Sequence, residues 1–230
     1  MKNSKKILFL GRYKDQISIK ILGLLNKKFV NVDYVFSKKH YEKLPKKFEK
    51  KKFDCVLSYR NYIVLTKKFL KLNKISINIH PGPPQYRGIG CLNFAIYNRE
   101  KNYGVTCHFM KPKIDSGEII ISKNFSMPKN VTVSKLLKKT SLEGLKVIRK
   151  IILLIENMNY QKKLQDMVKI NKKLKWSKKK YTKKELEDLY WIKSEKNKSK
   201  LNLIIKSTLF RKFKPYIIKN NIKFFYNKTI

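Results

Sequence analysis

The sequence predicts an α/β fold: a mostly parallel sheet with helices on both faces, followed by a short C-terminal helix and hairpin. Short apolar runs of strand length alternate with amphipathic stretches of helical spacing through the first third of the chain. A long helical stripe then follows the middle third. Strands separated by helical stretches imply βαβ units, whose parallel strands are covered on both faces.

Taken in order, Ile7-Leu8-Phe9-Leu10 reads as a buried strand and Ile17 to Phe29 has helical spacing. Val30 to Phe36, Cys55-Val56-Leu57 and Ile75 to Ile79 suit three more strands, and Gly104 to Met110 another. The turn after the first strand, Gly11-Arg12-Tyr13, has no GxGxxG, which argues against a nicotinamide dinucleotide site. Val133, Leu136, Leu137, Leu145, Ile148, Ile151, Ile152 and Ile155 share one face of a long core-covering helix. Residues 161–184, rich in lysine, read as a linker or solvated segment. Beyond them, Leu201 to Ile205 is helical and Tyr216 to Phe225 resembles a hairpin. The apolar side chains of this tail must bury against the rest of the chain or a second copy, so a homodimer is a further expectation.

Composition bounds the function without deciding it. The 230 residues hold 56 Lys+Arg against 15 Asp+Glu, a net charge of +41, yet 42% are hydrophobic, enough for a real core. Arginine, the side chain favoured for reading nucleic acid, is scarce, while Lys, Asn and Ile share AT-rich codons. The excess therefore reads as a solvated lysine surface rather than a dedicated polyanion-binding face. No apolar run approaches the length of a transmembrane segment. Cys55, Cys91 and Cys107 are too scattered for a zinc or CxxC motif and read as reduced core thiols of a cytoplasmic protein.

One window escapes the lysine bias: residues 75–100 contain none. Most of the glycines and prolines fall between positions 81 and 117, so backbone shape matters there. The strand Ile75 to Ile79 delivers Asn78 and His80 to one face as the chain emerges at the sheet edge. Pro81 to Gly88 forms a stiff loop over that edge, and Asp115 follows in the turn Ile114-Asp115-Ser116-Gly117. An amide donor, an imidazole and a carboxylate together suit acyl transfer, with donors for an oxyanion and groups to move an amine's proton. His108 faces either this site or the core. His40, in a lysine-rich loop, reads as incidental. The same residues could ligate a metal in a hydrolase, but no Cys partner or HExxH supports that, and no metal is expected.

Asn78-Ile79-His80-Pro81, Tyr86-Arg87-Gly88, Gly104-Val105-Thr106 with His108, and Ile114-Asp115-Ser116-Gly117 closely resemble the 10-formyltetrahydrofolate-dependent formyltransferases, over roughly residues 5–160. The resemblance implies a Rossmann-like sheet and a catalytic trio of Asn78, His80 and Asp115. It further implies a folate site at Tyr62, Ile63, Val64 and Ile114, with 10-formyltetrahydrofolate as cosubstrate. Gly82-Pro83-Pro84-Gln85 replaces the family's usual Ser-Leu-Leu-Pro, and Asp115-Ser116-Gly117 its Asp-Thr-Gly. The implied division is a catalytic domain over 1–160 and a linker with a small subdomain over 161–230. The tail resembles that of amino-sugar formyltransferases and is short for the tRNA-gripping barrel, so a nucleotide-linked amino sugar is the expected acceptor. Methionyl-tRNA is the alternative, and a non-catalytic RNA- or membrane-binding protein is the third reading.

Overall fold

The computed structural model describes residues 1–193 and 197–227. The first half holds β1 (Asn3–Arg12), α1 (Gln16–Lys28), β2 (Phe29–Ser37), α2 (Lys46–Glu49), β3 (Cys55–Tyr59), α3 (Lys67–Leu72), β4 (Ser76–His80), β5 (Arg87–Gly88), α4 (Cys91–Tyr97) and β6 (Asn102–Phe109). The second half holds β7 (Ile119–Ser126), α5 (Val133–Glu156), α6 (Tyr160–Ile170), β8 (Lys180–Tyr181), α7 (Lys183–Tyr190), α8 (Lys198–Thr208), β9 (Tyr216–Lys219) and β10 (Ile222–Phe225).

Six strands form one sheet in the order β2-β1-β3-β4-β6-β7. The first four are parallel, whereas β6 runs antiparallel to β4, and β7 to β6. This is the mostly parallel α/β sheet that the sequence predicts, with β7 added. Alternation along β1 sends Ile7 and Phe9 into a core with α1, α5 and α6, and Leu8 and Leu10 into a second core with α2 and α3. Asp15 starts α1 by accepting from the Ser18 N–H, and Thr132 starts α5 by accepting from Lys135. The predicted stripe of α5 is buried, with Leu137 half-exposed at its margin.

Residues 161–184 are not a solvated linker. Tyr160, Leu164, Met167 and Val168 line one face of α6 and pack on the main core, with Leu164 fully buried. The lysines occupy the opposite face, and their number conceals the stripe. Downstream, β8 pairs with β5. In the tail, Asn93 of α4 donates to the Ser207 carbonyl of α8 at 2.7 Å. Ile204 and Ile205 are buried as expected, whereas Phe224 and Phe225 of the hairpin stay about half exposed. Positions 194–196 and 228–230 of the predicted extension lie outside the described residues. Among the described residues no helix is long and apolar enough to cross a membrane, and the three cysteines are free and buried.

Candidate active site

Parallel strands β1, β3 and β4 end at one sheet edge, where open α/β sheets hold their ligands. A cleft of about 390 Å³ opens there, and its walls include Asn78, His80, Asp115, Tyr62, Ile63, Val64 and Ile114. The fold thus brings together every residue singled out from the sequence. It also resolves His108. Because β6 is antiparallel to β4, Asn78 lies directly opposite His108 and His80 opposite Thr106. Opposed residues share a face, so His108 turns into the site with Asn78.

Hydrogen bonds fix the orientation of each group. Asn61 Nδ2 donates to Ser58 Oγ, and Ser58 Oγ donates to Asn78 Oδ1 at 2.8 Å. The amide is thereby oriented, and Asn78 Nδ2 donates to His108 Nε2 at 3.2 Å. A carbonyl can only accept, so the ring nitrogen beside it must carry a proton. His108 Nδ1 donates to Phe109 O at 2.7 Å, and His80 Nε2 to Tyr86 O at 2.7 Å. The other nitrogens face one carboxylate: His80 Nδ1 is 3.5 Å from Asp115 Oδ2, and His108 Nε2 is 3.7 Å from Oδ1.

Asp115 occupies the left-handed region at φ 48°, and its Oδ2 accepts from the Gly88 N–H at 3.1 Å. The turn then closes so tightly on β6 that a Cβ at Gly117 would run into the Phe109 carbonyl. Burial alone pushes the Asp115 carboxyl pKa up. The charge of His80, the neighbouring His108 ring and the Gly88 N–H outweigh it and hold the group well below the usual carboxylate range. The sequence places His80 and Asp115 at an open sheet edge, yet they are only 4% and 6% exposed. Gly82 permits the close cover, since a Cβ there would lie 2.6 Å from His80 Nε2.

Several neighbours escape sequence reasoning. Trp176 packs edge-on against His80 and His108, with ring centres 5.6 Å and 4.9 Å away. Its only signal was a tryptophan inside a lysine tract. Ser58 gave none. Also in the cleft wall, Tyr62 meets the Arg12 guanidinium at 4.2 Å and the His40 ring at 3.9 Å. His40 therefore lines the cleft rather than a remote loop. Burial first, then the nearby Arg60, draws the Arg12 pKa down, and burial followed by Arg12 does the same to His40. The Tyr62 and Ile63 N–H groups are held by Ser37 Oγ and Asn61 Oδ1, which sets the path of this wall. Among the described residues no group of three or more His, Cys, Asp or Glu side chains could hold a metal ion.

A sheet-edge cleft with an amide donor, two imidazoles and a buried carboxylate holds the groups that acid–base group transfer requires. The chain belongs to the formyl transferase family, whose model matches residues 12–152. Methionyl-tRNA formyltransferase of Clostridioides difficile is 30% identical over 105 residues, covering 45% of this chain and 34% of that protein. The bifunctional polymyxin resistance protein ArnA of Wigglesworthia glossinidia brevipalpis is 30% identical over 154 residues, covering 66% and 22%. The matched region thus spans about a third or less of these curated relatives. In fold, the chain is similar to a 4-N formyltransferase from Francisella tularensis (TM-score 0.73, 21% identity, 96% of each chain). It is similar also to an N-formyltransferase from Helicobacter canadensis in complex with folinic acid and dTDP-3-aminofucose (TM-score 0.70, 18% identity, 95% and 86%).

Proposed function

We propose that this protein transfers a formyl group from 10-formyltetrahydrofolate to a primary amine, specifically an amino group of a nucleotide-linked sugar. The observation that carries the reading is the convergence of Asn78, His80, His108 and Asp115 in one cleft that Tyr62, Ile63 and Val64 also line. The neutral amine attacks the formyl carbon, the new C–N bond forms, and the carbonyl oxygen becomes an oxyanion. Asn78 Nδ2 keeps one N–H for His108 and offers the second to that oxyanion. His80 has its Nε2–H on Tyr86 O, and a small ring rotation exchanges that acceptor for the oxyanion. Asp115 is a weak base at its lowered pKa, so it orients His80 and steadies its protonated form rather than removing the proton itself. The amine's proton passes through water to folate N10 as the oxyanion re-forms its C=O bond and the bond to N10 breaks, leaving the formamide and tetrahydrofolate.

In this proposal Tyr62, Ile63, Val64 and Ile114 form the folate wall, and no metal takes part. Residues 1–160 carry the donor side, and residues 161–230 complete the acceptor side, which Leu186 already lines. The sugar acceptor is supported by a fold likeness, over 95% of this chain, to an N-formyltransferase in a nucleotide-sugar complex. Methionyl-tRNA is the second reading, favoured by the +41 charge and by the curated relatives. A non-catalytic RNA- or membrane-binding role would leave the oriented site without use. A cytoplasmic location and homodimerisation through the exposed hairpin complete the proposal. The test is tetrahydrofolate release with a panel of dTDP-amino sugars and with charged initiator tRNA at physiological salt. Turnover of tRNA alone transfers the assignment to the second reading, and no turnover with no folate binding overturns formyl transfer.

A further inference from the structure

The histidine pair is held from outside its own strands. His80 sits before the loop 81–88, and Asp115 sits in the turn after β6, so nothing local in sequence fixes their spacing. The segment between α6 and β8 joins the two. Trp176 Nε1 donates to Gly117 O at 2.7 Å, beside Asp115 in the turn. The Ser177 N–H donates to Pro84 O at 3.0 Å, and Ser177 O accepts from Arg87 Nη1 at 3.2 Å. Arg87 Nη2 in turn donates to Ile114 O at 3.0 Å. The indole stands at 72° to the His80 ring and 86° to the His108 ring, filling the space through which either would rotate.

We propose that Trp176 is a positioning residue for the formyl-transfer site: its indole clasps the Asp115 turn and blocks rotation of His80 and His108, holding both imidazoles toward the shared carboxylate. The inference rests on the proposed function for its kinetic consequence only. Each imidazole has one nitrogen on a main-chain carbonyl, and His108 Nε2 also takes the 3.2 Å bond from Asn78. Yet the shared carboxylate stands 3.5 and 3.7 Å off, so without the indole the rings gain room to turn and admit water. A displacement of about 1 Å in a reacting group costs up to about a hundredfold in rate. Trp176→Ala should therefore lose the chemical step rather than binding.

The experiment compares full-length wild type, Trp176→Ala and Trp176→Phe, with Trp176→Leu in place of the alanine variant should that fail to fold by circular dichroism. Kinetics are measured with the amine that wild type turns over, and imidazole ¹⁵N spectra are recorded without substrate. The alanine variant should lose at least about tenfold in kcat while KM for both substrates stays within about threefold. The phenylalanine variant, which keeps a ring against both histidines, should recover most of the loss. In the spectra, His80 and His108 should move toward the averaged shifts of freely exchanging rings in the alanine variant and keep wild-type shifts in the phenylalanine variant. Unchanged shifts in a folded alanine or leucine variant overturn the proposal, as does an unchanged kcat. If wild type turned over no amine and bound no folate, formyl transfer would fall, and the nitrogen shifts alone would decide the positioning role.

Discussion

Asp115→Asn isolates the charge at the centre of the site. The amide is isosteric, its oxygen can still accept from the Gly88 N–H, and its nitrogen, in the place of Oδ1, can donate to the Nε2 lone pair of a neutral His108. Local hydrogen bonding is therefore kept while the negative charge is lost. At 3.5 Å and an effective dielectric of about 20, an imidazolium–carboxylate attraction is on the order of 5 kcal/mol. If about half of it is felt only in the transition state, the barrier rises by about 2.4 kcal/mol, or roughly 60-fold in rate. The assay is steady-state release of tetrahydrofolate, with circular dichroism as the fold control. A second readout follows from linkage. The carboxyl titrates lower in the folded chain than near about 3.9, its unfolded value. Its stabilising effect is complete above that value and is lost as pH falls through the folded one. Wild type should lose stability in acid through this group, and Asp115→Asn should lack that part of the loss. Near wild-type turnover by a folded Asp115→Asn would falsify the argument.

Gly82→Ala sets a methyl 2.6 Å from His80 Nε2 and 3.0 Å from Tyr86 O. It should break their hydrogen bond and lower turnover by about tenfold or more, with His80→Ala at about a hundredfold or beyond. An active Gly82→Ala enzyme would show that the His80–Tyr86 bond is dispensable. Leu164→Ala empties a fully buried position of α6 and should cost about 2–5 kcal/mol in urea denaturation. An unchanged midpoint would return α6 to the status of a linker. Tyr62→Ala removes the ring that meets Arg12 and His40 and should weaken a folate analogue by about tenfold in calorimetry. Unaltered affinity would place the folate elsewhere.

What the sequence determined by itself was local and periodic. The continuous apolar run Ile7-Leu8-Phe9-Leu10 and the alternation of Ile75 to Ile79 identified strands, and the α5 stripe identified the helix over them, because burial on both faces removes polar residues and burial on one face imposes a period. The lysine-free window located Asn78 and His80, and the Gly- and Pro-rich stretch 81–117 located Asp115, since a constrained backbone resists the drift in composition that shapes the surface. Only the tertiary structure could decide what those residues touch. His108 joined the site through the antiparallel register of β6 on β4, a pairing that no single strand encodes. Trp176 reached the same site from the next crossing of the chain, inside a tract whose lysines hid both its ring and the core face of α6. The low pKa of Asp115 belongs to the same class: it is a sum over His80, His108 and Gly88, brought within a few ångströms only when the sheet, its covering loop and the returning segment close together.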